Sequence, residues 1–159
     1  MIVYHGSDRE IKTPQILEPS HALDFGKGFY TTLNEIQANG FARKVMDRLH
    51  STNAIVNVYE VDIEKMKAEL NGLWYKEVCS EWLDYVSDNR NGIRTAECDF
   101  AYGPVANDDG FRTFAAYQAR VLTKTEAMTR LKVKNLYNQL TFKSERSLNF
   151  INFVTAYSV

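Results

Sequence analysis

Six short β-prone runs are scattered along this chain, without the regular helix–strand alternation that builds a doubly wound parallel sheet. Ile2-Val3-Tyr4 ends at Gly6, Ser7 and Asp8. Phe29 to Thr32 follows a loop marked by Pro14, Pro19, Gly26 and Gly28. Ala54 to Val61 is rich in β-branched residues and predicts a central strand. Glu97 to Tyr102 closes on Gly103-Pro104, and Leu140 to Lys143 and Phe150 to Val154 supply the last two strands. The helices between them are legible from caps and spacing. Asn34 with Gln37 predicts a capping box, followed by Ala38, Phe41, Ala42, Val45, Met46 and Leu49 on one helical face. Gly40 within that helix marks either a close approach or a tolerated weak spot. Asp62 to Leu70 predicts a short helix. Trp74, Tyr75, Val78, Cys79, Trp82 and Val86 predict another, ended by Asn89 to Gly92. A turn at Asn107 to Gly110 leads to a helix over Phe111 to Leu122. Thr123 with Glu126 opens a further one through Leu131, and Ser144 to Leu148 predicts a single helical turn. The sum is an α+β domain.

With 159 residues, 45% of them hydrophobic, the chain can bury one sizeable core. Nine Tyr and nine Phe supply much of it. The net charge is -1 with both signs interspersed, which argues against a general nucleic-acid or membrane surface. Cys79 and Cys98 read as free, buried thiols in a reducing compartment. His5, His21 and His50 form no cluster with metal-ligand spacing, so no structural metal is expected. The N-terminus lacks signal-peptide features and no apolar run has membrane-spanning length, so the expected location is cytoplasmic. Neither a dinucleotide-binding G-x-G-x-x-G nor a P-loop is present.

Three stretches carry candidate chemistry. Tyr4-His5-Gly6-Ser7 and Phe25-Gly26-Lys27-Gly28-Phe29-Tyr30 each put a polar ring beside glycine at a strand end, and Asn138-Gln139-Leu140-Thr141-Phe142 adds a polar strand far downstream. Glycine lets backbone approach a flat ligand where a Cβ would clash. Taken singly, His5 is readable as a structural histidine and Tyr30 as a core aromatic; their joint placement points to a shared cleft.

These residues carry a resemblance. His5-Gly6-Ser7 resembles the histidine-glycine-serine of poly(ADP-ribose) polymerase catalytic domains, and Phe25 to Tyr30 is similar to their phenylalanine-glycine-lysine-glycine-aliphatic-tyrosine segment. Asn138 to Phe142 is similar to the strand holding their catalytic glutamate. The chain as a whole resembles a bacterial family of small ADP-ribosyltransferase-like proteins, which shares Gly103-Pro104-Val105-Ala106-Asn107-Asp108 and Asn138-Gln139. The resemblance implies one domain over 1–159, a split antiparallel sheet with flanking helices and a helical insertion near 62–95, and NAD lying across the gap. Carried over by position, His5 bonds a ribose hydroxyl, Gly6 clamps the nicotinamide amide, and Tyr30 stacks on the ring. Ser7, Gly28 and Ala38 line the pocket, and Phe41 falls where the polymerases carry a second stacking tyrosine. Arg9 is the best of the cations available for the pyrophosphate, ahead of Lys27 and Arg43.

Nicotinamide leaves a cationic pyridinium as a neutral group, so its departure requires no general acid and leaves an oxocarbenium-like ribose. The protein must hold the two halves of NAD and stabilise that charge. Gln139 stands where the polymerases carry glutamate. It can accept from the ribose 2′-hydroxyl but brings no charge, a difference of about 1.5–3 kcal/mol for a charge-assisted contact. That disfavours chain polymerisation. Tyr137, two residues before it, disfavours an arginine acceptor. Glu145 and Asp108 are further acidic groups near the motifs, with plain readings as turn and helix-start residues. The expectation is a mono-ADP-ribosyltransferase acting on a macromolecule, the toxin of a toxin–antitoxin pair whose partner is a small antitoxin protein. The alternatives are an NAD glycohydrolase and an inactive module that binds NAD or ADP-ribose.

Overall fold

Residues 1–18, 23–93, 95, 97–105, 108–134 and 136–159, with backbone alone at 108 and 109, are described by a computed structural model. Its strands are β1 (Ile2–Ser7), β2 (Phe29–Thr32), β3 (Ile55–Val61), β4 (Gly72–Trp74), β5 (Phe100–Val105), β6 (Tyr137–Phe142) and β7 (Ile151–Ser158). They form one seven-stranded sheet in the order β4-β5-β6-β2-β1-β3-β7. The helices are α1 (Glu35–Leu49), α2 (Ile63–Glu69), α3 (Ser80–Arg90), α4 (Asp108–Gln118) and α5 (Lys124–Lys132), with a 3-10 turn at Ser147–Phe150. The fold is α+β. The sheet is mixed rather than purely antiparallel, because β4 pairs parallel with β5.

Strand alternation divides the core. Directly paired residues share a face. One face collects Val3, Phe29, Tyr59, Val61, Phe100, Tyr102, Leu140 and Phe142, closed by Met66 of α2 and by Phe150. The other carries Ala101 and Val105 against Trp82, Leu83, Val86, Phe114, Ala127 and Leu131 of α3 to α5. On the β1–β3 side of that second face, α1 lays Ala38 and Ala42 over Val56.

Local signals set several of these elements. Asn34 Oδ1 accepts from Gln37 N–H at 2.8 Å and starts α1. The reciprocal half of that box is absent, because Gln37 Oε1 accepts from Thr32 Oγ1 instead. Thr123 and Glu126 do form the full box that opens α5. Other expectations are corrected. β1 runs on through Gly6 and Ser7, held by six consecutive pairs to β3. β3 is next to last, not central, with β7 outside it. β5 continues through Gly103 and Pro104. Beyond Trp74↔Tyr102 β4 has ended, so the missing N–H of Pro104 costs no ladder bond on that side. Trp74 lies in β4, not in a helix, and stacks on Tyr102 at 3.9 Å with the planes 10° apart. The 62–95 segment therefore carries a strand as well as α2 and α3. Cys79 is the N-cap of α3, its Sγ accepting from Trp82 N–H at 3.4 Å, and both cysteines are free and half-buried. Phe41 and Leu49 are 48% and 53% exposed, off the buried stripe of α1. Gly40 faces open space, so no close approach explains it. At the outer strand, Val58↔Thr155 is followed by Tyr59↔Phe153, which makes Val154 a bulged extra residue. Pro19, His21, Ala106 and Asn107 lie outside the described residues. Among the described residues, no helix is long and apolar enough to cross a membrane.

Candidate functional site

The sheet is nearly two sheets. β1 and β3 share six registered pairs, β5 and β6 six, and β2 and β6 four. Between β1 and β2 there is one, Tyr4↔Thr32. Past that pair, His5-Gly6-Ser7 and Gly28-Phe29-Tyr30 run alongside one another without ladder pairing. The first two sequence motifs thus meet at the parting of the half-sheets.

His5 bridges the parting. Tyr30 C=O is 2.7 Å from His5 Nδ1, and since a carbonyl only accepts, Nδ1 carries the proton. The ring stacks on Phe29 with centroids 4.5 Å apart. Burial holds the imidazole below its ordinary value, the bond to Tyr30 only partly offsetting it, so the ring is neutral and Nε2 is a lone-pair acceptor. Thr141 Oγ1 is the one buried side-chain polar atom without a partner among the described residues. His5 is half-buried, and its Nε2 has no hydrogen-bond partner among the described residues.

The structure separates the other ring. Tyr30 leaves β2 on the opposite face from His5 and Phe29, among the α3–α5 aromatics. Its Oη donates to Gly26 C=O at 2.6 Å and accepts from Phe25 N–H at 3.1 Å, which closes the loop before β2. Burial pushes this phenol well above its ordinary range. Gln139 sits on Tyr30's face of the sheet, opposite Thr32 on β2 and Gly103 on β5. It is half-buried, and its amide bonds no described residue.

The glycines answer to chain packing. A Cβ on Gly6 would lie 2.6 Å from Ala38 O and Ala42 N, and one on Gly28 would lie 2.6 Å from Phe142 O. Gly6 lets α1 press onto β1, and Gly28 lets the loop press onto β6. Ala38, 1% exposed, is the other half of the first contact. Ser7 is buried, its Oγ donating to Asp8 Oδ1 at 3.3 Å. Arg9 is exposed and engaged by Asp8 through two 2.9 Å bonds, so its charge is already matched; hydrogen bonding to that guanidinium holds the Asp8 carboxyl below the usual range. Phe41 is exposed on α1. Glu145 is exposed, in the turn past the end of β6. The Asp108 side chain lies outside the described residues.

Sequence reasoning missed the groups that hold the two rims of the parting. Asn57, fully buried on β3 opposite His5, accepts from Ile11 N–H at 2.7 Å and donates to Arg9 C=O at 3.0 Å. Tyr59 Oη donates to Ile11 C=O at 2.7 Å. On the other rim, Arg90 of α3 donates to Asp24 through Nε at 2.7 Å and Nη2 at 2.6 Å, with its guanidinium 4.3 Å over Phe114. A lone polar residue inside Ile55-Val56-Asn57-Val58 was the available signal for the first rim. Arg90 carried none.

Residues 1–153 match the family described as "Protein of unknown function (DUF3990)", and the chain belongs to that family. No curated protein and no solved structure matches the chain.

Proposed function

For this member of the DUF3990 family, we propose NAD-dependent mono-ADP-ribosyl transfer at the parting between β1 and β2. The observation that carries it is His5: an imidazole where β1 and β2 share a single registered pair, with Nδ1 committed to Tyr30 C=O and Nε2 left as an acceptor without a partner among the described residues. That nitrogen suits a ribose hydroxyl. The unladdered edges of Gly6-Ser7 and Gly28-Tyr30 offer backbone donors and acceptors to a flat amide. Tyr30, with its hydroxyl engaged, contributes by holding the Gly26 loop and the wall it forms, and Gln139 supplies an uncharged acceptor. The reaction breaks the ribose–nicotinamide bond, nicotinamide leaves with the bonding pair, and a macromolecular nucleophile or water attacks the ribose carbon and loses its proton. The preference for single transfer rests on the resemblance and on the missing carboxylate at 139.

The test is purified protein with isotopically labelled NAD and cell lysate, read by nicotinamide release and intact mass. Wild type is expected to release nicotinamide and label an acceptor, with His5→Ala at least about tenfold slower. Absence of both NAD binding and turnover overturns the proposal. Gln139 favours a second reading, a module that binds NAD without cleaving it; a measurable NAD Kd with no nicotinamide released selects it. Growth arrest on induced expression, lost in His5→Ala, is the cellular counterpart for a toxin.

A further inference from the structure

Lys143 immediately follows β6 and is drawn back into the protein. Its Nζ donates to Phe25 C=O and, at 3.3 Å, to Lys27 C=O. Its backbone N–H donates to Asp99 C=O at 2.8 Å, which fixes the root of the side chain. No carboxylate pairs with its ammonium among the described residues, and burial lowers its pKa, with Cys98 nearby acting in the opposite sense. A cation held by carbonyls alone, at the cost of desolvation, is an unusual way to stabilise a turn. The turn it holds is the Phe25–Gly28 segment, where Gly26 sits at φ 70° and, among the described residues, Tyr30 Oη makes the other side-chain bonds to the Phe25 and Gly26 backbone.

We propose that Lys143 is a positioning residue for the candidate site: its ammonium ties the Phe25–Lys27 turn to the end of the strand that carries Gln139, and so sets the gap between Gly28-Phe29-Tyr30 and His5-Gly6-Ser7. This role rests on the NAD reading above. Lys143 lies four positions after Gln139, just past the end of β6, so one stretch of chain carries both the group offered to the ribose and the anchor of the turn that leads into β2. Lysine suits the task because its three donors on a flexible stem can reach two carbonyls at once.

The experiment measures amide exchange over 23–28 and NAD affinity by calorimetry in wild type, Lys143→Met, Lys143→Arg and, as a control, Lys124→Met, which breaks the surface pair with Asp84. Lys143→Met is expected to speed exchange in the turn and weaken NAD binding about tenfold, with Lys143→Arg recovering most of both and Lys124→Met unchanged. Where Lys143→Met does not fold, Lys143→Gln, which keeps one donor group without charge, is expected to show an intermediate loss. Wild-type exchange and wild-type NAD affinity in a folded Lys143→Met or Lys143→Gln overturns the role of Lys143 alone. Failure of the wild type to bind NAD overturns the NAD reading, and this role with it.

Discussion

The two rims of the parted sheet are held in different physical ways. Residues 9–11, which continue from β1, are fastened to β3 by neutral groups: the Asn57 amide and the Tyr59 hydroxyl. Residues 24–28, which lead into β2, are fastened by charges: the Asp24–Arg90 pair and the Lys143 ammonium, with Tyr30 Oη between them. A buried amide satisfying backbone donors and acceptors is a fixed, short-range device. A buried ion pair is indifferent or costly to assemble but severe to break, since the surviving charge is stranded. The first rim is thus set by neutral side chains of the neighbouring strand β3, and the second by charged side chains arriving from α3 and from just past β6.

The contrast is testable in descending order of effect. Arg90→Met removes both guanidinium bonds to Asp24, with both side chains only 13% and 12% exposed in the native pair, and is expected to cost about 3–5 kcal/mol in urea unfolding. A cost below about 1 kcal/mol would make the charged rim no different from the neutral one. Asn57→Ala orphans Ile11 N–H and Arg9 C=O and is expected to cost about 1–3 kcal/mol, with faster exchange at Ile11 and none of it at 24–28. Spread of that exchange across the parting would show that the rims act as one unit. The smallest effect is titration of His5. Its folded pKa is depressed, so between the ordinary value near 6.5 and the lower folded one the unfolded chain binds a proton that the folded chain does not. Stability is therefore full above about 6.5 and falls as pH drops through that window. His5→Asn, which keeps a donor for Tyr30 C=O but cannot titrate, should flatten this part of the pH profile; an unchanged profile would assign it elsewhere.

Much of the frame was legible because its causes are local. The Asn34 and Thr123 caps act over three residues, and β2 was bounded by the glycine loop before it. Where the causes are distant, the reading failed. Trp74, Tyr75, Val78 and Trp82 mimic a helical stripe, yet Trp74 is claimed by a parallel pairing with Tyr102. The sequence assigns Gly28 to close approach of a ligand and, through the resemblance, Gly6 to an amide clamp, whereas a Cβ at Gly6 meets α1 and one at Gly28 meets β6. Tyr30 and His5 were expected to share a cleft, and strand alternation sends their rings to opposite faces, joined only through a backbone carbonyl. Phe41 matched the helical period but sits at the stripe's edge, where Ala38, Ala42 and Val45 already fill the contact. The anchors Arg90 and Lys143 act on partners 66 and 118 residues away, a separation that no local pattern reports.

The bulge at Val154 has a consequence for the outer rim of the sheet. Ile151–Ser158 contains no lysine, glutamate or proline, the residues that ordinarily keep a border strand from recruiting a stranger. The inserted residue takes over that duty by spacing: it breaks the bare row of amides and carbonyls into two stretches that cannot both align with a straight incoming segment. Resistance to strand addition at this border is thus a matter of misregistry rather than repulsion.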